Sequence, residues 1–303
     1  MSQFRYLPLV DTHAHVNLKH FSSDQKELLE RSQRGIFPEI KGRQTNDPIF
    51  RPFITGLICP SVDLATSLGA VELAKQYDFV FAAVGFHPNH TSEALPDDWE
   101  KSEQLILENL NSGTIVAVGE TGLDRYWDYS PFELQREYFL RTLELGLRVK
   151  LPVIIHSREA NEDIMEILRD FYADVPRSPD VSHGVVHSFS GAPEQAEELV
   201  EMGFYLGFGG SVTYTNKKFA ELWDVAKRVP SDRILLETDS PFLTPHPFRG
   251  KLERNEPLMT VYVAKRLAAL RGIPIDEIVK QTTENAIQLF KLPALREEPI
   301  ATV

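Results

Sequence analysis

An aspartate and two histidines occur at every second position of an apolar segment near the start of the chain. The stretch LPLVDTHAHVN, residues 7–17, places Asp11, His13 and His15 at this spacing. Side chains of a β-strand alternate between its two faces, so these three project from the same face. Because buried polar groups are costly without a partner, that face must meet either hydrogen-bonding groups or a metal ion. This segment alone leaves both explanations open.

Residues of the same types follow other short apolar runs further along the chain. The candidates at the ends of predicted strands are His13, His15, Glu120, His156, His187 and Asp239. A single histidine at a strand end is more often a hydrogen-bonded structural residue, but a set of this size favours a metal centre. Imidazoles with carboxylates suit Zn²⁺, Mn²⁺, Co²⁺ or Fe²⁺ better than Mg²⁺. Glu120 is well placed to bridge two ions in such a centre.

Eight predicted strands alternate with segments of helical periodicity. The strands are predicted at 7–15, 53–61, 79–88, 114–120, 152–157, 184–189, 204–210 and 233–239. This order predicts a single (β/α)₈ barrel of the TIM type, in which all carboxyl ends open on the face that carries active sites. The eighth strand would close beside the first and bring Asp239 towards His13 and His15. A doubly wound open sheet is the alternative, although no GxGxxG motif follows the first strand.

The chain is predicted to be one domain over residues 1–303, with two irregular segments. Residues 19–50 are polar, contain several prolines and glycines, and stand where the first crossover helix is expected. We expect a helical start and then a loop insertion near the barrel mouth, although an insertion without function is an equal alternative. Residues 293–303 are expected to form a loose tail.

Composition and charge exclude several classes of protein. The formal net charge of −12 is opposite to that of proteins that capture nucleic acid through a broad basic surface. The single cysteine, Cys59, excludes an internal disulfide and a thiolate metal cluster. No apolar run is long enough to span a bilayer, and the first residues do not form a secretory signal. We therefore expect a cytoplasmic protein without a membrane or an obligatory protein partner.

A series of longer motifs makes the sequence similar to one family. The stretches are VDTHAH at 10–15, GFHP at 85–88, GETGLD at 119–124, PVIIHSRE at 152–159, VVHSFSG at 185–191, ETDSPFL at 237–243, NEP at 255–257 and TTENAIQLF at 282–290. In this order they resemble the TatD family of metal-dependent deoxyribonucleases, within the amidohydrolase superfamily. HxH alone is a weak signal, but the ordered series covers nearly the whole chain.

The resemblance implies a centre of two divalent metal ions, Mg²⁺, Mn²⁺ or Zn²⁺. It assigns His13, His15 and Asp239 to one ion, His156 and His187 to the second, and Glu120 to the bridge between them. The implied reaction is hydrolysis of DNA phosphodiester bonds from an end, of the 3'-5' exonuclease type, on single strands or frayed ends. Activated water would attack in line, and Asp239 would act as its general base.

Several polar residues near these ligands are candidates for supporting roles. Asp11 and Glu237 lie one step deeper on their strands and could accept the second ring N–H of a ligating histidine, or simply pair with the backbone. His87 ends the third strand and could contact a substrate phosphate or be structural. Asn89 stands where the family often has a histidine after the proline. This residue and the long segment 19–50 depart from the family pattern, and both bear on the substrate preference.

Cations and aromatic residues on two loops are candidates for substrate binding. Arg125, Tyr126 and Trp127 follow GLD directly and could clamp a phosphate and stack a base, or only cap the barrel. Arg158 follows His156, and Arg249 follows the eighth strand, which makes both further phosphate-contact candidates.

Two other functions remain open at this point. The same centre could hydrolyse a small amide, lactone or ester, as elsewhere in the amidohydrolase superfamily, and the acidic net charge favours this alternative. A third possibility is a barrel that uses its metals only for stability or for binding a partner. The complete ligand set argues against that possibility, because structural metal sites are usually closed to solvent.

Overall fold

The computed structural model describes residues 5–38, 49–175 and 182–300. Its strands are β1 (Arg5–Asp11), β2 (Phe50–Cys59), β3 (Val80–Val84), β4 (Ile115–Asp124), β5 (Val153–Arg158), β6 (Gly184–Val186), β7 (Phe204–Phe208) and β8 (Ile234–Leu236). They form one sheet in sequence order, and each strand is parallel to the next. A parallel sheet with sequential order requires a helical crossover between neighbouring strands.

Backbone hydrogen bonds beyond the ends of β1 and β8 close the sheet into a barrel. The amide of Thr12 donates to the carbonyl oxygen of Leu236 at 3.0 Å. The amide of Asp239 donates to the carbonyl oxygen of His13 at 2.8 Å. Ala14 and Ser240 then form a parallel bridge. The predicted (β/α)₈ barrel is therefore confirmed, and the closing seam lies beside the candidate ligands of the first and eighth strands.

The α-helices follow the strands and cover the outside of the barrel. They are α1 (Gln25–Arg34), α2 (Leu64–Gln76), α3 (Asp98–Asn109), α4 (Phe132–Val149), α5 (Asn161–Phe171), α6 (Pro193–Glu201), α7 (Ala220–Arg228), α8 (Thr260–Arg271) and α9 (Ile275–Phe290). Local signals fix several of their ends. The Asp63 carboxylate accepts a bond from the Thr66 amide at 2.7 Å at the start of α2, and Gly272 ends α8 with a φ of 68°.

Alternate residues of the strands supply two apolar layers. One packs outward against the helices, and the other fills the barrel interior. The interior layer contains Ile154, Val185 and Leu235, and the end of α9 adds Leu289 and Phe290. This layer lies below the strand ends that carry the candidate ligands, because each of these three strand residues precedes a polar residue of the same face by two positions.

Several strands end earlier than predicted. β6 ends at Val186 and β8 ends at Leu236, so His187 and Asp239 follow their strands instead of belonging to them. Ser188 and Asp239 have φ angles of 45° and 57°, a left-handed conformation that does not fit an extended strand. β4 is longer than predicted and continues to Asp124.

The irregular segments are partly described. Within the predicted insertion 19–50, a short turn at Lys19–Phe21 precedes α1, which buries Leu28 and Leu29 completely. Residues 39–48 of this prediction lie outside the described residues. Residues 293–300 form neither helix nor strand, and the carbonyl oxygen of Arg296 accepts a bond from the Thr55 hydroxyl at 2.7 Å. The predicted tail also includes residues 301–303, which are outside the described ranges.

None of the helices in the described ranges combines the length and apolar character needed to cross a bilayer.

Candidate metal centre

Glu120 lies at the centre of the predicted ligand set, and its two carboxylate oxygens face two different pairs of histidines. Oε2 lies 3.2 Å from Nε2 of His13 and 3.4 Å from Nε2 of His15. Oε1 lies 2.8 Å from Nδ1 of His156 and 2.9 Å from Nε2 of His187. The side chain of Glu120 is only 1% exposed. Its position on β4 therefore holds a buried carboxylate between the end of β1 and the ends of β5 and β6.

Asp239 joins the same cluster from the loop after β8. Its Oδ1 atom lies 3.6 Å from Nε2 of His15 and 3.9 Å from Nε2 of His13. The rings of His13 and His187 are stacked with their centroids 3.9 Å apart, so the two histidine pairs adjoin. The structure thus brings all of the predicted metal ligands into one cluster.

Burial and mutual charge set the protonation of the cluster. Burial raises the pKa of Asp239 to about 6, against the opposing charges of His187 and His15. Burial also opposes the charge on Glu120, but the surrounding imidazoles, His187 foremost, outweigh it and hold that pKa well below the usual range. Burial is the main cause of the strongly lowered pKa of His13. Glu120 is accordingly an anion among imidazoles.

The nitrogen atoms of the cluster point at one another and at Glu120. Nε2 of His13 lies 3.2 Å from Nε2 of His15, and Nδ1 of His156 lies 3.2 Å from Nε2 of His187. Oε2 of Glu120 is buried and makes no hydrogen bond within the described part of the chain. Such convergent lone pairs are costly without a cation. The donor set, imidazole with carboxylate, therefore fits divalent transition metals, and three overlapping ligand groups share this cluster.

His87 lies beside Glu120 and His156, with which it forms one of the candidate ligand groups. Its Nε2 atom lies 3.6 Å from Oε1 of Glu120, while its Nδ1 atom accepts a hydrogen bond from the amide of Asn89 at 3.1 Å. Burial is the largest cause of its strongly lowered pKa, so the ring is neutral. A neutral ring whose Nδ1 accepts a bond carries its proton on Nε2. His87 therefore presents an N–H donor to the centre.

Comparison with known proteins agrees with this geometry. The model of the TatD related DNase family matches residues 10–291. The chain belongs to this family. As a TatD-family member with this ligand cluster, it is a metal-dependent hydrolase, and the predicted family relationship is confirmed.

Individual relatives extend over most of the chain. YabD of Bacillus subtilis (strain 168), named an uncharacterized metal-dependent hydrolase, is 39% identical over 94% of this chain and 99% of its own length. A protein of Erwinia amylovora named 3'-5' ssDNA/RNA exonuclease TatD is 34% identical over 79% of this chain and 89% of its own length. The crystal structure of YjjV, a TatD homolog from Escherichia coli, has a TM-score of 0.77 and 33% identity, and the match covers 94% and 98% of the two chains.

The two deeper carboxylates of this TatD-family chain have different partners. Asp11 accepts hydrogen bonds from the amide of Thr238 at 2.9 Å and from the hydroxyl of Thr238 at 2.6 Å. It also accepts one from the amide of His13 at 3.2 Å, so it stabilises the closing seam. Glu237 accepts a bond from the amide of Ser188, and its Oε1 atom lies 3.7 Å from Nδ1 of His187. The backbone role considered for Asp11 is therefore the observed one, while Glu237 lies behind a predicted ligand.

Asp124 is a residue of the centre to which the sequence analysis assigned no role. Its Oδ2 atom lies 3.2 Å from Nε2 of His156 and accepts a bond from the side-chain amide of Asn89 at 2.9 Å. Burial opposes its charge, but His156 and the hydrogen bonds it accepts outweigh that effect and lower its pKa strongly. The signal for Asp124 was its place at the end of GETGLD, in the same strand as Glu120. Asn89, noted only as a departure from the family, is its partner.

The predicted substrate-binding residues on the loops make different contacts. Arg158 stacks on Tyr126, with its guanidinium carbon 4.0 Å from the ring centroid; Arg158 is the last residue of β5, and Tyr126 follows β4. Arg125 instead pairs with Asp163 through two hydrogen bonds of 2.5 and 2.7 Å. Arg249 lies over the ring of Tyr214 at 4.3 Å. Burial raises the pKa of Tyr214. The positive charge of Arg249 lowers this pKa, and the negative charge of Asp239 raises it.

Proposed function

We propose that the chain is a two-metal deoxyribonuclease that shortens single-stranded DNA from an end in the 3'-5' direction. The observation that carries this proposal is the position of Glu120, whose two oxygens each face a separate pair of imidazoles. Paired metal ions are the usual centre for displacement at a phosphodiester. The exonuclease named among the relatives supports the choice of substrate and direction.

The proposed ligand sets are those implied by the family resemblance. His13, His15 and Asp239 would hold one ion, His156 and His187 would hold a second, and Glu120 would serve both. The ions would be Mg²⁺, Mn²⁺ or Zn²⁺. When bound, they supply polarisation of the phosphoryl group and an activated water nucleophile.

Asp239 is the proposed general base. Its side chain is 15% exposed, whereas that of Glu120 is 1% exposed, so Asp239 is the carboxylate that water can reach. Its Oδ1 atom lies beside His15 and His13, at the edge of the cluster. A carboxylate in this position can accept the proton of the attacking water. The N–H of His87 can donate to a phosphate oxygen.

A strand end is the proposed point of attack because of the shape and charge of the site. The centre lies at the mouth of a barrel with a net charge of −12, which does not attract a long duplex. Within residues 5–38, 49–175 and 182–300, Arg158 and Arg249 are the candidate cations for holding phosphates at the mouth. With two or three phosphate contacts, log affinity should fall with log salt with a slope of roughly −1.5 to −2.

The decisive experiment compares a 3'-end-labelled, a 5'-end-labelled and a circular single strand. The protein is reconstituted with Mg²⁺, Mn²⁺ or Zn²⁺, and bound metal is measured by elemental analysis. We expect stepwise shortening of the linear strands from the 3' end and an intact circle. Cleavage of the circle at the rate of the linear strand would contradict the exonuclease proposal.

Two controls test the rest of the proposal. Glu120→Gln should reduce the occupancy of both metal positions, whereas His187→Ala should affect one more than the other. Full occupancy of both in Glu120→Gln would exclude the bridging role. Carboxyl ester and amide substrates are assayed in parallel. Their hydrolysis by protein that leaves every DNA strand intact would replace the nuclease proposal with a small-molecule hydrolase.

A further inference from the structure

Three aromatic side chains project from the loop that follows β4. Tyr126 is 49%, Trp127 41% and Tyr129 61% exposed. They are three of the five aromatic side chains exposed to this degree in the described ranges. Large rings that serve only to cap a barrel would be buried, since their exposure forfeits the stabilisation from the hydrophobic effect. This concentration therefore needs a function at the mouth.

The three rings form an ordered group. Trp127 and Tyr129 are stacked with centroids 5.3 Å apart and planes 9° from parallel, and Tyr126 meets Trp127 edge-on at 4.8 Å. The guanidinium of Arg158 lies 4.0 Å from the centroid of Tyr126 and 5.6 Å from that of Trp127. Mutual packing of this kind fixes ring orientation before any ligand arrives. We name Tyr126, Trp127, Tyr129 and Arg158 the aromatic platform.

One carboxylate joins the aromatic platform to the metal centre. Oδ1 of Asp124 accepts hydrogen bonds from the amides of Tyr126 at 2.9 Å and Trp127 at 3.0 Å. Its other oxygen, Oδ2, lies 3.2 Å from Nε2 of His156. On the far side of the loop, the carbonyl oxygen of Tyr129 accepts a bond from the Ser92 hydroxyl at 2.9 Å. The platform is therefore held at a fixed position beside the ligands of β4 and β5.

We propose that the aromatic platform stacks unpaired nucleobases next to the phosphate that is cleaved, an inference that rests on the proposed nuclease function. Flat rings bearing a cation match the faces of bases, and such stacking is tolerant of sequence. The net charge of −12 leaves little non-specific attraction for phosphates, so stacking supplies the hold that charge does not. Base faces are hidden in a duplex, which makes the platform selective for single strands and frayed ends.

Arg125 has a supporting part in this arrangement. It was predicted to clamp phosphate, but its guanidinium is paired with Asp163 and lies 3.8 Å from the centroid of Phe132. These contacts direct it towards α4 and α5. Arg158 is therefore the cation that belongs to the stacking surface, and Arg125 fixes the start of the loop.

Binding to metal-free protein tests the platform without catalysis. The probes are oligothymidylate and an abasic oligonucleotide of equal length, each with a terminal fluorescein, and the readout is fluorescence anisotropy. In the wild type, tryptophan emission is a second readout, since Trp127 is far more exposed than the buried Trp99. We expect oligothymidylate to quench the emission and to bind more tightly than the abasic strand. Trp127→Ala should weaken binding of oligothymidylate roughly 5- to 150-fold, the range found for loss of one stacked base. Trp127→Phe should retain part of the affinity.

A matched control removes an exposed aromatic side chain from the opposite end of the barrel. Tyr6 is 44% exposed at the start of β1, and Tyr6→Ala should bind both strands as the wild type does. Equal affinity of the wild type for the normal and abasic strands would overturn the platform. So would unchanged binding in Trp127→Ala. A loss of equal size for both strands in that variant would also overturn it.

Kinetics with metal-loaded protein separate the platform from the nuclease proposal. In Trp127→Ala, KM for oligothymidylate should rise towards that of the abasic strand, whereas Tyr6→Ala should cleave both strands with the KM and kcat of the wild type. Normal cleavage of oligothymidylate with unchanged KM in Trp127→Ala would remove the platform and leave the nuclease intact. Failure to cleave any strand, with base-dependent binding retained, would contradict the nuclease and keep the stacking surface.

Discussion

Two layers of the barrel interior differ sharply although they come from the same strands and the same face. The lower layer contains Ile154, Val185 and Leu235, all buried and apolar, and is closed by the end of α9. Two positions further along the chain stand His156 on β5, His187 just after β6 and Glu237 just after β8. A step of two residues thus changes the barrel from an apolar core to a cluster of buried polar groups.

The difference separates stability from function along each strand. The lower layer removes apolar surface from water and has packing partners throughout. The upper layer buries polar atoms, among them Oε2 of Glu120 and Oε2 of Glu237, that make no hydrogen bond within the described residues. Without a bound cation such atoms oppose folding. Substitutions in the upper layer should therefore reduce activity and not stability, and substitutions in the lower layer should do the reverse.

The largest expected effect is the loss of activity in Asp239→Asn. The amide keeps the size of the side chain and one coordinating oxygen but cannot accept a proton. We expect kcat to fall by about 10²- to 10⁴-fold, with metal retained. Activity on a labelled single strand, metal content and urea unfolding are measured on the same preparation. Near-normal turnover with metal bound would mean that another group accepts the proton, and a large fall in stability would blur the distinction between the layers.

The lower layer is tested by Leu235→Ala, which opens a cavity two residues below Glu237. Leucine-to-alanine changes in cores cost about 2–5 kcal/mol, so the midpoint of urea unfolding should fall substantially. Leu235 is fully buried, and its replacement leaves every predicted ligand in place. The rate per folded molecule should therefore stay within about twofold of the wild type. A loss of activity without a loss of stability would contradict the assignment of the lower layer to stability.

Asp124 should have an intermediate effect, because it acts on the centre through His156. Removing a carboxylate that orients a ligating histidine commonly costs about 10- to 100-fold in metal affinity. We expect this loss in Asp124→Asn, measured by competition with a chelator. Asn89→Ala removes only the amide that supports Asp124 and should cause a smaller loss in the same direction. Unchanged metal affinity in both variants would limit Asp124 to holding the loop.

The sequence was sufficient for the barrel and for the ligand cluster, for a physical reason. Strand alternation places every second residue on one face, and parallel strands bring their carboxyl ends together. Motifs spread over more than 200 residues, from His13 to Asp239, could therefore be assembled without coordinates. Glu120 facing both histidine pairs follows from its place in β4, opposite the closing seam.

The parts that the sequence did not predict depend on loop geometry. Ser188 and Asp239 leave the extended region, so the ends of β6 and β8 could not be located from residue types alone. The contacts of Asp124 with His156 and Asn89 join three separate segments. Arg125 pairs with Asp163, a partner 38 residues away in the chain. Periodicity carries no information about such long-range side-chain pairs.

The smallest expected effect concerns charges outside the barrel that do have partners. Asp24, just before α1, accepts a hydrogen bond from Arg254 and lies 3.6 Å from the guanidinium of Arg31. The hydrogen bond from Arg254, with the charges of both arginines, lowers the pKa of Asp24 despite partial burial. Unlike the carboxylates of the upper layer, Asp24 faces two arginines, so it should contribute to stability alone.

The sign of the pH dependence follows from the lowered pKa of Asp24. Because the folded protein favours the charged form, the stabilisation is present above the unfolded pKa of about 3.9 and is lost as the pH falls through the folded value. At pH 7 we expect Asp24→Asn to unfold more easily by no more than about 1 kcal/mol, since the pair is partly exposed. The difference from the wild type should shrink near pH 3, and activity at pH 7 should not change. Urea unfolding at both pH values measures the effect. A difference that grows at low pH would reverse the assignment, and a loss of activity at equal stability would show that Asp24 belongs with the functional layer.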